Sequence, residues 1–201
     1  MGEATRPISE GYLRSVADLE RRLGLVETRW VRLAGNPVIL DSRVLTASAA
    51  SITFSGINQN FSHLQINCYM RGNAAPAGVQ SRLRLNGDAG ANYDAVTIWA
   101  NGGTAAATVN LALTFAYAGA VPTAGAVANQ FGTSQMSINY YAGTTRKNIM
   151  TNWAYRADAV GGMLTGQTSA FWSTTAVTSV SLFPETDSYV AGSKFTLIGI
   201  P

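Results

Sequence analysis

The sequence is poor in the groups from which most enzymes build their chemistry. It has one histidine, His63, and one cysteine, Cys68, in 201 residues. A single cysteine excludes an intrachain disulfide, and a single histidine excludes a His-rich metal site. Charge is scarce too. The 14 Lys plus Arg and 11 Asp plus Glu make about half the charged share usual in a soluble domain. A net charge of +3 does not point to nucleic acid, which needs Lys and Arg clustered on one face. The 20 glycines follow no three-residue period, and 47% hydrophobic residues exclude a disordered polyelectrolyte. The first 35 residues are charged throughout and hold no long apolar run, so no secretory leader is expected. What is present is a chain that folds as one large domain, or one domain with an appendage.

The charges divide the chain near Gly35-Asn36-Pro37. Residues 1–35 carry six Arg (6, 14, 21, 22, 29, 32) and five acids (Glu3, Glu10, Asp18, Glu20, Glu27), whereas Ala95 to Thr145 carry none. Within residues 9–35, Tyr12, Val16, Leu19, Leu23, Val26, Trp30 and Leu33 recur at alternating intervals of four and three. That spacing keeps an apolar seam on one side of a helix. With Val16, Leu23 and Trp30 at heptad position a, Glu20 and Glu27 fall at e and Arg22 and Arg29 at g, so Arg22 can meet Glu27 of a neighbouring parallel helix. Ser9 supplies a start signal, and Gly35 with Pro37 a stop. The segment is expected to be a short coiled coil that joins copies of the chain; an amphipathic helix packed on its own domain is the alternative. Gly24 costs such a helix about 1 kcal/mol relative to Ala, so the coil depends on the domain that follows.

From residue 36 the apolar period becomes two. Leu64, Ile66, Cys68 and Met70 alternate with Gln65, Asn67, Tyr69 and Arg71, as a half-buried strand requires. Similar alternation marks Leu83 and Leu85, Val96 and Ile98, Leu111 to Tyr117, Met136 to Tyr140, and Ile149 to Tyr155. Ser51 to Phe54, Val177 to Phe183 and Lys194 to Ile200 add further strands. Turn signals separate them at residues 56–60, 72–78, 86–92, 119–125 and 161–166. The expected fold is an antiparallel β-sandwich, jelly-roll-like, over residues 36–201. Val109 to Ala128 is long and uncharged, but Pro122 and its flanking glycines make it strand plus loop and no membrane helix.

Candidate chemistry is thin. His63 opens a strand with no nucleophile elbow beside it and reads as a surface or capping histidine. Glycoside hydrolysis needs two opposed carboxylates, and among Asp41, Asp88, Asp94, Asp158, Glu185 and Asp187 no pair stands out. Arg82 to Asp94 places Asn86, Asp88, Asn92 and Asp94 close together without calcium-loop spacing, and reads as an Asn/Asp turn. Cys68 reads as a small buried hydrophobe. Trp99, Tyr140, Tyr141, Trp153, Tyr155 and Trp172 are a possible sugar platform, although several alternate in phase with core residues. No catalytic residue, metal or cofactor is expected.

Three stretches, Ile52 to Ile66 (ITFSGINQNFSHLQI), Arg82 to Asp94 (RLRLNGDAGANYD), and Ala176 to Glu185 with Ala191 to Pro201 (AVTSVSLFPE, AGSKFTLIGIP), together resemble tailed-bacteriophage virion proteins of the tail-fibre, minor-tail and head-fibre kind. The resemblance spans roughly residues 45–201. It implies a non-enzymatic structural protein on the exterior of a phage particle. Residues 1–8 would anchor it to other virion proteins, the helix would hold a parallel homotrimer, and the β domain would be exposed for contact with a host-surface glycan. A capsid-decorating head fibre and a carbohydrate-binding module are the alternatives. Uncharged strands between Ala95 and Thr145 are expected to be buried between subunits, since no charge has to be desolvated there.

Overall fold

The computed structural model describes residues 35–101, 103–156 and 163–201. The anchor segment 1–8 and the seam of Tyr12, Val16, Leu19, Leu23, Val26, Trp30 and Leu33, with Arg22 and Glu27, lie outside the described residues. Gly35, the first described residue, has φ +67°.

Residues 37–200 form one compact unit, in which the described residues make twelve strands. They are β1 (Val38–Val44), β2 (Ile52–Ser55), β3 (His63–Met70), β4 (Gly78–Leu85), β5 (Tyr93–Asn101), β6 (Thr104–Leu113), β7 (Ala116–Pro122), β8 (Gly132–Asn139), β9 (Lys147–Arg156), β10 (Met163–Trp172), β11 (Ser179–Pro184) and β12 (Lys194–Ile200). One sheet has the order β1-β12-β3-β8-β9-β10-β5-β6 and the other β2-β11-β4-β7. Every strand pair is antiparallel. With β5–β6 and β9–β10 set aside, β1-β12-β3-β8 faces β2-β11-β4-β7, the strand order of a jelly roll. The two remaining hairpins are insertions, and both extend the larger sheet beyond β8.

The core follows from strict alternation on the facing sheets. Leu64, Ile66 and Met70 of β3, Leu83 and Leu85 of β4, Val180 and Leu182 of β11, and Phe195 and Leu197 of β12 are all buried. Each such side chain stabilises the fold by about 1.5–3 kcal/mol relative to exposure. Three buried phenols tie strands to loops. Tyr189 shares a 2.6 Å hydrogen bond with Ser81 Oγ, Tyr93 Oη accepts from the Leu85 amide at 3.0 Å, and Tyr141 donates to the Asn58 carbonyl. Two basic side chains are held by backbone carbonyls. Arg71 donates to the carbonyls of Thr123, Val127 and Gln130, and Lys147 to those of Gly143, Thr145 and Thr174.

Several sequence expectations are corrected. Val96 and Ile98 point outward, 47% and 57% exposed, while Tyr93 and Ala95 are the buried residues of β5. Leu111 to Tyr117 is not one strand: a bulge at Tyr93/Ala95 and the left-handed Ala112 (φ +53°) lead to a bend between β6 and β7. Leu111 is consequently exposed and Ala116 buried, the reverse of the expected phase. Tyr140 also turns outward, with φ +49° just after β8, and Tyr141 takes the core position. The glycines at 119 and 166 lie inside β7 and β10 rather than in turns.

Candidate binding groove

The two insertions create a site because the smaller sheet stops at β7 while the larger continues through β9, β10, β5 and β6. Beyond β7 the inner face of the larger sheet is left as the floor of an open groove of about 560 Å³, a volume typical of ligand sites. Its wall is Gly78, Val79 and Gln80 of β4 with Tyr117, Gly119 and Ala120 of β7. Its floor is Thr97, Trp99 and Asn101 of β5, Thr108 and Asn110 of β6, and Trp153 and Tyr155 of β9, with Glu185 at the rim.

Two glycines set the aromatic rings. Ser134, Trp153, Gly166, Trp99 and Ala106 form one cross-strand row. A Cβ on Gly166 would lie 2.5 Å from Trp153 Cζ2, so the indole lies across the space that the missing side chain leaves. On the other side a Cβ on Gly119 would come 2.8 Å from Trp153 Cβ, and the φ of +107° there is one that residues with a side chain rarely adopt. Close approach of β7 therefore holds one end of Trp153 and Gly166 accommodates the other. Tyr155 stacks beside it with ring centroids 6.4 Å apart and planes 26° apart. Trp99 packs against this pair and Ala120 while remaining half-buried. It is the most exposed ring of the three, and it rests on Trp153 and Tyr155, each 8% exposed.

Among the described residues the groove is nearly free of formal charge. Glu185 is held by Arg82, Nη2 to Oε1 at 2.6 Å, and the Arg82 guanidinium lies 4.1 Å over the Phe115 ring. Burial raises the Tyr155 phenol above its ordinary value, so it stays protonated at neutral pH. The other polar groups facing the space are amides and hydroxyls: Gln80, Thr97, Asn101, Thr108 and Asn110. Such a lining both donates and accepts hydrogen bonds without selecting for a charge.

Of the six aromatics singled out in the sequence, Trp99, Trp153 and Tyr155 come together here. Tyr140 lies beside His63, rings 4.7 Å apart, and Tyr141 is core. His63 Nδ1 accepts the Tyr140 amide at 3.2 Å, a capping role. The carboxylates disperse. Asp88 accepts from the Gly90 amide and from Asn92 Nδ2, while Asp94 accepts from the Ala112 amide at 2.8 Å. Asn86 takes the Thr178 and Ser179 amides. The 86–94 stretch is thus a hydrogen-bonded turn, and among the described residues no three His, Cys, Asp or Glu gather as a metal site. Asp158 lies outside them. Cys68 is buried and free. No local sequence pattern marks Gln80, Asn101, Thr108 and Asn110 as one site, since only the pairing of distant strands brings them together.

No known protein family matches the sequence, and no curated protein matches it. Among solved structures, the Caenorhabditis elegans galectin LEC-6 is 7% identical, with 80% of this chain and 95% of that one covered and a TM-score of 0.29. The Ruminococcus gnavus IT-sialidase CBM40 bound to α2,3-sialyllactose is 8% identical, with 80% and 91% covered and a TM-score of 0.31. A toad ovary galectin in complex with thio-digalactose is 9% identical, with 76% and 96% covered and a TM-score of 0.25. At these scores nothing about the present chain follows from them.

Proposed function

We propose that the β domain is a non-catalytic module that binds a neutral glycan in the groove beside β7. One observation carries this reading: a supported tryptophan, Trp99, stands in an open groove whose other described polar groups, the Arg82-paired Glu185 at the rim apart, are uncharged amides and hydroxyls. A pyranose has apolar C–H faces that pack on an aromatic ring, and a rim of hydroxyls that such groups can pair. Among the described residues Glu185 is the one carboxylate lining the groove, and Arg82 engages it; the non-catalytic reading rests on finding no second, opposed carboxylate among them. A glycan array followed by calorimetry tests the reading. Trp99→Ala should weaken any captured neutral glycan about ten- to hundred-fold, the equivalent of losing roughly 1.5–3 kcal/mol of aromatic burial. An array without neutral hits, or binding indifferent to Trp99, would remove it.

For setting, we favour the exterior of a phage particle, with the chain held as a trimer through residues 9–35 and anchored by residues 1–8. The support is the resemblance, whose stretches correspond largely to β2, β3, the end of β4, β11 and β12. These are strands of the jelly-roll body and not of the groove's floor, so the resemblance concerns the scaffold. Immunogold labelling of particles would distinguish a tail fibre from a head fibre, and absence of label from all particles would refute both.

A further inference from the structure

The two sheets have four edge strands, and three carry features that discourage pairing with another chain. β1 has a bulge between Ile39 and Asp41 and an ion pair, Arg43 to Asp41 at 2.9 Å. β2 is four residues long. β7 contains the left-handed Gly119, has a register shift opposite Ser81/Arg82, and ends on Pro122. Charge, bulges, brevity and proline are the usual protections of a sheet edge. β6 differs. Its ten residues, TAAATVNLAL, hold no charge and no proline, and its irregularity is confined to the Ala112 end. Beside this edge, on the outer face, lie Val96, Ile98, Val109 and Leu111, 47%, 57%, 65% and 69% exposed.

We infer that β6 is a self-association edge, pairing antiparallel with β6 of a second copy across a two-fold axis. A second copy fits because the edge is its own complement. It has no charge to repel an identical strand and none to select a charged partner, and antiparallel pairing is isologous. The same pairing sets Val109 and Leu111 of one copy beside the outward residues of the other, joining two apolar patches into one. At about 3.4 Å per residue the edge is roughly 34 Å long, and a sheet about 10 Å thick gives a facing section of roughly 340 Å² per copy. Both copies reach roughly 700 Å² before the flanking side chains count, so the patch must supply the rest of the approximately 1,000 Å² that a specific pair needs. The pair is therefore a weak, reversible dimer. Between single chains the pairing closes, because it consumes the edge that forms it; chains already joined through residues 9–35 would instead be bridged pairwise through their β6 edges. This inference is independent of the glycan reading.

The test is sedimentation velocity of the full chain across the micromolar range, with substitutions that separate the edge from the heptad seam. Leu19→Asp with Val26→Asp removes assembly through residues 9–35, and this variant should still show a concentration-dependent dimer. Adding Val109→Lys and Leu111→Lys should reduce it to a monomer with an unchanged circular dichroism spectrum; Ala107→Glu serves if the double lysine variant misfolds. In the same background, single cysteines at Ala105, Ala107 or Val109 should form interchain disulfides several-fold faster than one at Ile39 on the β1 edge. A seam variant that is monomeric at every concentration, a dimer indifferent to the β6 substitutions, or equal crosslinking at both edges would each overturn the inference. So would β6 amides that gain exchange protection only from an unrelated chain.

Discussion

The jelly-roll body and its four-strand extension are made of the same kind of strand and are used in opposite ways. In the body, β3, β4, β11 and β12 bury one face against the other sheet and show solvent a face that is mostly polar. In the extension, β5 and β6 have their larger aliphatic residues outside and Trp99, Thr97, Thr108 and Asn110 inside, facing the groove. The difference shows that an added hairpin need not deepen a core. It can widen a sheet past the end of its partner and leave the floor of an open groove.

Truncation breaks this comparison most severely. Ile66→Ala in β3 should lower stability by about 2–5 kcal/mol, since a buried aliphatic chain leaves a cavity. Ile98→Ala in β5 should change it by no more than about 0.5 kcal/mol. Urea denaturation of the two variants measures the contrast directly, and similar midpoints would mean that the extension is as covered as the body.

Gly166→Ala sharpens the comparison inside the extension. The new methyl occupies the space where Trp153 lies, and we expect a loss of about 1–3 kcal/mol, as for other overpacked sites. Tryptophan fluorescence should shift as the indole is displaced, and glycan binding should fall with it. Native emission together with native stability would show that the ring tolerates the methyl.

The smallest effect near neutrality is the response to alkali. Burial raises Cys68, Tyr93, Tyr141, Tyr155 and Tyr189 above their ordinary values of 9.0 for the thiol and 10.0 for the phenols. Above those values the unfolded chain has released protons that the folded chain still holds, so stability falls as pH rises. Burial lowers Lys147 from 10.5, which acts in the opposite sense over the interval just below that value, where the unfolded lysine is still protonated. Five groups oppose one, so the urea midpoint should decline from pH 9 to 11; a rising midpoint would contradict the burial of the phenols.

The body was legible in the sequence because one face of each strand meets a full core. In β12, Phe195 and Leu197 alternate with Thr196 and Ile198, and the expected bounds, Lys194 to Ile200, match those observed. The extension was legible only in part. The alternation of Val96 and Ile98 marks β5 as a strand, but nothing in a local pattern distinguishes an apolar outer face from a core face. Gly119 and Gly166 carry the usual signal of a turn, yet here each makes room for Trp153, a reason visible only when β7, β9 and β10 are side by side. Trp99, Trp153 and Tyr155 stood out as aromatics. Their polar companions did not, since Asn and Gln on neighbouring strands leave no periodic trace.

Thr108 and Asn110 face the groove from the same strand that presents the bare edge. An antiparallel partner on that edge keeps both inner faces on one side of a continuous sheet. Two troughs would then open in the same direction across a shared lip, and a long polysaccharide lying over both could be held by avidity even where each grip is weak.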